Sequence, residues 1–392
     1  MACYLYQPLT DREIMQSEEL IVIGGGVVGA AIAYGAARGG TSVTLLDEGD
    51  IAHRASRGNF GLVWVQSKGE NFPRYARWCR DAAALYPRLM KELAELTNVD
   101  IALKQPGGFW IGFNDAEMSA REAMLDTLNR TAGDIPFEML NHSELKARLP
   151  AIGPKVAGGS FCPLDGHVNP LLLMRALHAG LNEHRVTMRS GTSVTRIDYR
   201  GDSAEFEVTT ADGLRLRSRR VVIAAGLGNE RLAAQVGLHA PVVPSRGQVL
   251  ITERLKPFLP YPTNKARQTN EGTVQLGYSI EDVGYDDGTT VSAIESIAKR
   301  ATTTFPVLSD VRLVRAWGAL RVMTPDGFPI YEESVACPGA FVATSHSGVT
   351  LAATHAYVVG PWMAGKAPAP AEMEGFAGER FLDPTRVFTN AH

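Results

Sequence analysis

The chain has 392 residues, more than one ordinary core accommodates, so at roughly 100 to 200 residues per domain it is expected to hold two domains with room for a large ligand between them. Its composition, 45% hydrophobic and 21% charged, is globular, and a formal net charge of -3 excludes the strongly basic surface that a nucleic-acid partner needs. Cys3, Cys79, Cys162 and Cys337 stand far apart with no CxxC pair, which argues against a zinc site and a disulfide framework and fits a reducing, cytoplasmic setting.

Roughly the first 18 residues read as a short extension, with Asp11, Glu13, Glu18 and Glu19 where a signal peptide would carry Lys or Arg. Leu20-Ile21-Val22-Ile23 then predicts a strand, the glycines from Gly24 a tight turn, the alanine-rich stretch to Gly39-Gly40 a helix, and Val43-Thr44-Leu45-Leu46 a second strand. The longest apolar stretch, Val27 to Ala37, is about half of the ~20 residues a bilayer requires, so no transmembrane helix is expected. Helical spacing predicts helices over 73–97 and 115–131, and short β-rich runs from 186 to 223 predict hairpins. Further β-rich stretches from Val242 to Ile251 and from Thr273 to Tyr278 precede a helix near 290–304, and the Ala/Pro segment 365–371 reads as a tail linker.

Gly24-Gly25-Gly26-Val27-Val28-Gly29 satisfies GxGxxG between a predicted strand and a predicted helix, the context that gives this short pattern meaning. The first glycine makes the turn, the second admits a pyrophosphate to the backbone, and the third permits close helix–strand packing. The phosphates then lie at the helix N-terminus, where free N–H groups favour anions. Asp47, 18 residues after Gly29, ends the second strand and can accept hydrogen bonds from both hydroxyls of an adenosine ribose; it would repel a 2′-phosphate, and Glu48 adjoins it. An NAD domain should continue with further βαβ units. Here the loop His53 to Gly61 follows, in which Ser56 suits a phosphate contact and Asn59 and Gly61 run on toward the far end of the cofactor. Ala224-Ala225-Gly226 and Thr344 to Thr350, with Gly348, Val349 and Thr350 opening a helix, lie far downstream. A long cofactor touched by such distant segments is FAD.

Together these segments resemble the glycine oxidase, sarcosine oxidase and D-amino-acid oxidase/dehydrogenase (DAO) family of flavoproteins, over residues 18 to 365. Asp165 to Pro170 leading into a helix, and Val194-Thr195-Arg196-Ile197, whose backbone in the family meets the adenine, are part of the likeness. Arg246-Gly247-Gln248 is similar to the family's R-G-Q strand beside the flavin, and Trp317-Gly318-Ala319-Leu320-Arg321 to its approach to the substrate. Thr324-Pro325-Asp326-Gly327 follows at the family's spacing, and His346 to Leu351 resembles the loop and helix that meet the flavin ring. The sarcosine oxidase branch links FAD through a cysteine just before T-P-D; none stands there in this chain, which implies noncovalent FAD.

The resemblance implies an α/β protein with a Rossmann-like FAD-binding domain from 17–82, 158–240 and 318–392. A second, α+β substrate domain built on an antiparallel sheet is expected from 83–157 and 241–317. Hydride transfer from a carbon bearing an amine to the flavin is the implied chemistry, after which the imine hydrolyses. Such chemistry demands positioning more than acid–base catalysis. Arg321 is the expected carboxylate anchor, since its planar fork binds bidentately and keeps its charge; Arg267 and Arg246 come next. His346 is placed at flavin or substrate, Gln248, Gln268 and Tyr278 on strands aimed at the substrate, and the N–H groups of Gly348, Val349 and Thr350 at the flavin's pyrimidine edge. Trp64 and Trp110 read as core or cavity wall, and no metal is expected. The expected substrate is a small amino acid, D-amino acid, opine-like conjugate or secondary amine, with O2 or an electron carrier as acceptor. A hydroxy acid or polyol phosphate substrate, or the role of a FAD-binding subunit in a larger dehydrogenase complex, stays open, as does a homo- or hetero-oligomeric state.

Overall fold

In the computed structural model, which describes residues 17–49, 55–133, 135–383, 385 and 388, the strand Glu18–Ile23 holds Leu20, Ile21 and Val22 fully buried. A run that is apolar on both faces suits the middle of a parallel sheet covered on both sides. It pairs in parallel with Val43–Leu46 on one side and Arg215–Ile223 on the other. Thr187–Arg189 extends the sheet beyond Val43–Leu46; Ala340–Thr344 and then Ile330–Glu333 extend it beyond Arg215–Ile223. The expected hairpins are a meander, Val194–Arg200, Glu205–Thr210 and Arg215–Ile223.

The helix Val27–Arg38 follows the first strand after the glycine turn and packs against Pro170–Glu183 and the C-terminal helical stretch from Ala352 to Met363. The long helix Pro73–Thr97 buries Tyr75, Cys79, Ala82, Tyr86, Leu89 and Leu93 at alternating four- and three-residue steps, one apolar stripe laid across those same helices. It stops at Asn98, whose left-handed φ of 57° ends the helix.

A four-stranded antiparallel sheet in the order Ala266–Gln268, Thr273–Gly277, Val243–Arg254, Leu313–Met323 forms a second unit. The helix Val291–Thr304 packs Ile297 and Ala301 into a core with Leu250 and Leu276. A three-stranded sheet of Gly108–Gly112, Gly158–Cys162 and Glu138–Asn141 adjoins it where Phe109 N–H donates to Pro262 O at 3.0 Å. The expected boundaries at 82/83 and 317/318 fall inside one helix and one strand, and Gly158–Cys162 pairs with Gly108–Gly112 rather than with the nucleotide sheet. Residues 371–383 pack back onto the chain: Phe376 is fully buried and Arg380 grips Asp326 with bonds of 2.8 and 3.1 Å. No described helix is long and apolar enough to cross a membrane. The N-terminal extension up to residue 16, and His53, lie outside the described residues.

Candidate active site

The nucleotide end is built by the turn after the first strand. Gly24 has a φ of +109°, and a Cβ there would stand 2.3 Å from Ala224 O; a Cβ on Gly29 would stand 1.9 Å from Gly24 O. Only glycine fits either position. Gly26 faces Ser56, whose Oγ accepts from Val27 N–H at 3.0 Å, so Ser56 and the helix N-terminus form one polar cradle. Asp47 accepts from Gly25 N–H at 2.7 Å and Gly49 N–H at 2.9 Å, which fixes its carboxylate beside the glycine turn; Glu48 next to it is exposed. Ala225 and Gly226 follow Ala224 on the facing strand end, and Val194 is buried at the start of Val194–Arg200. Acceptor-rich phosphates suit such a cradle of N–H and hydroxyl donors.

A cavity of about 860 Å³ lies between the two units. Asn59, Trp64, Trp110, Gly247, Tyr278, Arg321, His346, Val349 and Thr350 all line it. The C-terminal wall is tied down from behind: Tyr75 OH donates to Ser347 Oγ at 2.8 Å, Tyr86 OH donates to Val349 O, and Thr350 Oγ1 donates to Leu62 O at 3.2 Å. Gly348 sits against Val28, its Cβ position 3.0 Å from Val28 Cγ2. The regular helix begins at Ala352, later than expected, and Gly348, Val349 and Thr350 form the turn before it. Among the described residues their N–H groups have no backbone acceptor, and Val349 and Thr350 line the cavity.

Arg321 crosses the strand Val243–Arg254 to lie on Gly247, where a Cβ would come within 2.1 Å of its Nη2. Nη1 donates to Arg246 O at 3.0 Å and Nη2 to Ser279 O at 2.9 Å, and the guanidinium stacks 5.0 Å from the Tyr278 ring centroid. No carboxylate pairs with it among the described residues, and burial lowers its pKa while Tyr278 and Glu281 oppose that shift. Burial pushes the Tyr278 phenol up.

Strand alternation divides the segment Val243–Arg254 between two faces. Gly247 and Val249 face the cavity, so Arg246 and Gln248 face away from it. Arg246 pairs with Glu281 at 2.7 Å and Asp286 at 2.5 Å, while Gln248 Nε2 donates to Glu281 at 2.9 Å and its Oε1 accepts from Thr290 N–H at 2.9 Å. These side chains brace the 279–290 segment next to Tyr278. Arg267 is also withdrawn, donating to Phe60 O at 2.5 Å, and Gln268 accepts from Phe258 N–H at 2.9 Å. Gly61 lies behind the wall, its carbonyl accepting from Val168 N–H at 2.8 Å.

Several residues of the cavity carry no motif. Arg121, almost fully buried, donates to Ser160 at 2.9 Å, Ser67 at 3.0 Å and Gln66 at 2.6 Å, and stacks on Trp110. Gln66 Nε2 in turn donates to Asp165 at 2.6 Å, a carboxyl that burial pushes up to about 7. Lys68, Lys265 and Arg300 also line the cavity, each from a different segment. Burial pushes Lys265 down to about 7, reinforced by Arg300 and Arg321.

A glycine cradle at the head of a parallel sheet and a cavity with a cationic anchor under an antiparallel roof together define a flavoprotein oxidoreductase. The chain belongs to the DAO family of FAD-dependent oxidoreductases, whose profile matches residues 19–362, and its cofactor is FAD. It is 41% identical over 354 residues to an opine oxidase subunit of Rhizobium meliloti, covering 89% of this chain and 94% of that one. Glycine oxidase of Pseudomonas aeruginosa is 28% identical over 364 residues, 90% of this chain and 96% of that one. Among solved structures, glycine oxidase from Geobacillus kaustophilus superposes with a TM-score of 0.82 at 26% identity, over 90% of this chain and 96% of that one.

Proposed function

We propose that the protein oxidises an opine-like secondary amine, an N-alkyl amino acid, and that it works as the flavin subunit of a larger dehydrogenase. The observation that carries this reading is the guanidinium of Arg321, held on two carbonyl oxygens and presented to the cavity without an acidic partner among the described residues. A planar cation so fixed takes a carboxylate bidentately. FAD, when bound, supplies the two-electron acceptor for hydride leaving the carbon next to nitrogen; the resulting imine adds water and separates into an amine and a carbonyl compound.

Arg321 fixes the carboxylate and with it the angle at which the C–H bond points. Its charge, with that of Lys265, disfavours an ammonium nearby and so favours the neutral amine, the form with an electron pair to give. The N–H groups of Gly348, Val349 and Thr350 hold negative charge at the far wall. Trp64 and Trp110 give the cavity apolar wall. The Rhizobium meliloti relative supports both parts of the proposal, since its name is that of an opine oxidase and of one subunit among several. Anaerobic mixing of the holoprotein with N-alkyl amino acids, primary amino acids and hydroxy acids tests it. Flavin bleaching by the first group ahead of the others is expected, and bleaching by hydroxy acids alone would overturn it.

A further inference from the structure

One end of the cavity holds more positive charge than a single carboxylate needs. Lys265 Nζ lies 3.4 Å from the centroid of the Tyr278 ring, the same ring on which Arg321 stacks at 5.0 Å. Beyond it Arg300, on the helix Val291–Thr304, lays its guanidinium over Phe113 at 4.8 Å and faces the same space. Among the described residues neither Lys265 nor Arg300 has a side-chain hydrogen bond or an acidic partner. The acid on that wall, Glu117, is engaged elsewhere: its carboxylate accepts from Phe113 N–H at 3.0 Å and from Asn114 Nδ2 at 3.1 Å. Half-buried cations that repel one another persist where something anionic joins them. Arg321 already supplies the site for the carboxylate next to the amine, so the charge at Lys265 and Arg300 is surplus to that group.

We infer that Lys265 and Arg300 form a second anion subsite, which takes the carboxylate on the other arm of the amine nitrogen of the opine-like substrate. This rests on the reading of the cavity as an amine oxidation site with Arg321 as first anchor. Lys265 and Arg321 lie against the same ring, that of Tyr278, so the two cationic positions are near enough for a short, flexible diacid to span. A substrate held at both ends is positioned better than one held at one end, and the loss of either end costs both binding and orientation.

The test uses the holoprotein and matched pairs of secondary amines: iminodiacetate, N-(2-carboxyethyl)glycine and N-(3-carboxypropyl)glycine, each against the amide of its second carboxyl. In the wild type, kcat/KM for at least one diacid should exceed that for its amide tenfold or more. Lys265→Met and Arg300→Met should each cut this ratio at least threefold, and the double variant should bring it near one; flavin content and visible spectrum verify the fold. A ratio near one in the wild type at every spacer length, or a ratio that survives the double substitution, would overturn the subsite. If none of the amines bleaches the flavin, it is the proposed amine oxidation that fails. Titration with glutarate and its monoamide, followed by the flavin spectrum, then decides the subsite alone: tighter binding of glutarate that is lost in Lys265→Met supports it, and equal binding of the two rejects it.

Discussion

At Arg321 the sequence places a charge and its neighbours decide how it is aimed. Arg321→Met keeps most of the volume, so FAD should still bind with a near-normal spectrum. Loss of one partner of a desolvated charge pair costs about 2 to 5 kcal/mol, roughly 30- to several-thousand-fold in kcat/KM for a carboxylate substrate. Its ester should lose much less, and an equal loss on both would show that Arg321 acts on the flavin or the fold. Gly247→Ala should reproduce part of this defect, because a Cβ 2.1 Å from Nη2 displaces the guanidinium. Lys265 adds a pH signature. The groups around it are Arg300, Arg321 and Tyr278, with Glu117, Glu70, Lys68 and Arg121 on the remaining walls. Burial among cations brings it down to about 7, so it is charged below that pH and loses its proton above it. The preference for glutarate over its monoamide, taken as the ratio of their dissociation constants, should therefore fall as pH rises through about 7 to 9, and neither compound carries an amine that titrates over this range. A ratio that is flat or rises over this range would remove Lys265 from the subsite. Arg321 was legible because it ends a recognisable motif, whereas Lys265 and Arg300 come from the bend before the strand Ala266–Gln268 and from a helix that only the fold brings together.

Among the elements, the nucleotide turn was the most legible, since strand, glycine turn, helix and acid follow one another within 30 residues and each is dictated by local geometry. The strand Val243–Arg254 was the least. Its alternation fixes that Arg246 and Gln248 share a face and that Gly247 and Val249 share the other, but no local rule says which face meets the cavity. The fold gave the cavity to the glycine, because the arginine that needs the space comes from the neighbouring strand Leu313–Met323. The start of the C-terminal helix escapes local reasoning for a related cause: Ser347, Val349 and Thr350 are anchored by Tyr75, Tyr86 and Leu62, contacts from hundreds of residues away. Asp47 tests the nucleotide turn. Two charge-assisted bonds to ribose hydroxyls, at roughly 1.5 to 3 kcal/mol each before compensation by water, predict that Asp47→Ala weakens FAD binding tenfold or more. Because Asp47 also accepts from Gly25 and Gly49, some loss of thermal stability should accompany it. Fluorescence titration of the apoprotein with FAD measures the first effect, and unchanged affinity would mean that the acid does not meet the ribose.

Over the whole molecule, the cofactor's cradle and the cavity draw on residues from Gly24 to Thr350, so FAD should act as a staple between segments that the chain itself leaves far apart. Whether the staple is covalent depends on the thiols. Cys79 is fully buried in the helix Pro73–Thr97, and burial pushes its thiol up to about 12; Cys162 is buried in the strand Gly158–Cys162 and is pushed up as well. Cys337 packs on the side of the nucleotide sheet that holds Phe206 and Val342, and none of these three lines the cavity. A thiol reacts as its thiolate, and one kept protonated and out of reach forms no bond to a flavin ring. FAD should therefore leave intact in the supernatant when the protein is precipitated with acid. A noncovalent ligand that binds only the folded chain stabilises it by mass action, about 2.7 kcal/mol at a free concentration one hundred times Kd. The melting temperature of the protein should accordingly rise with added FAD and drop when FAD is stripped by dialysis against chaotropic salt. Yellow colour that stays in the acid pellet would overturn the noncovalent assignment, and a melting temperature indifferent to FAD would show that the two ends of the cofactor site are held together by the chain alone.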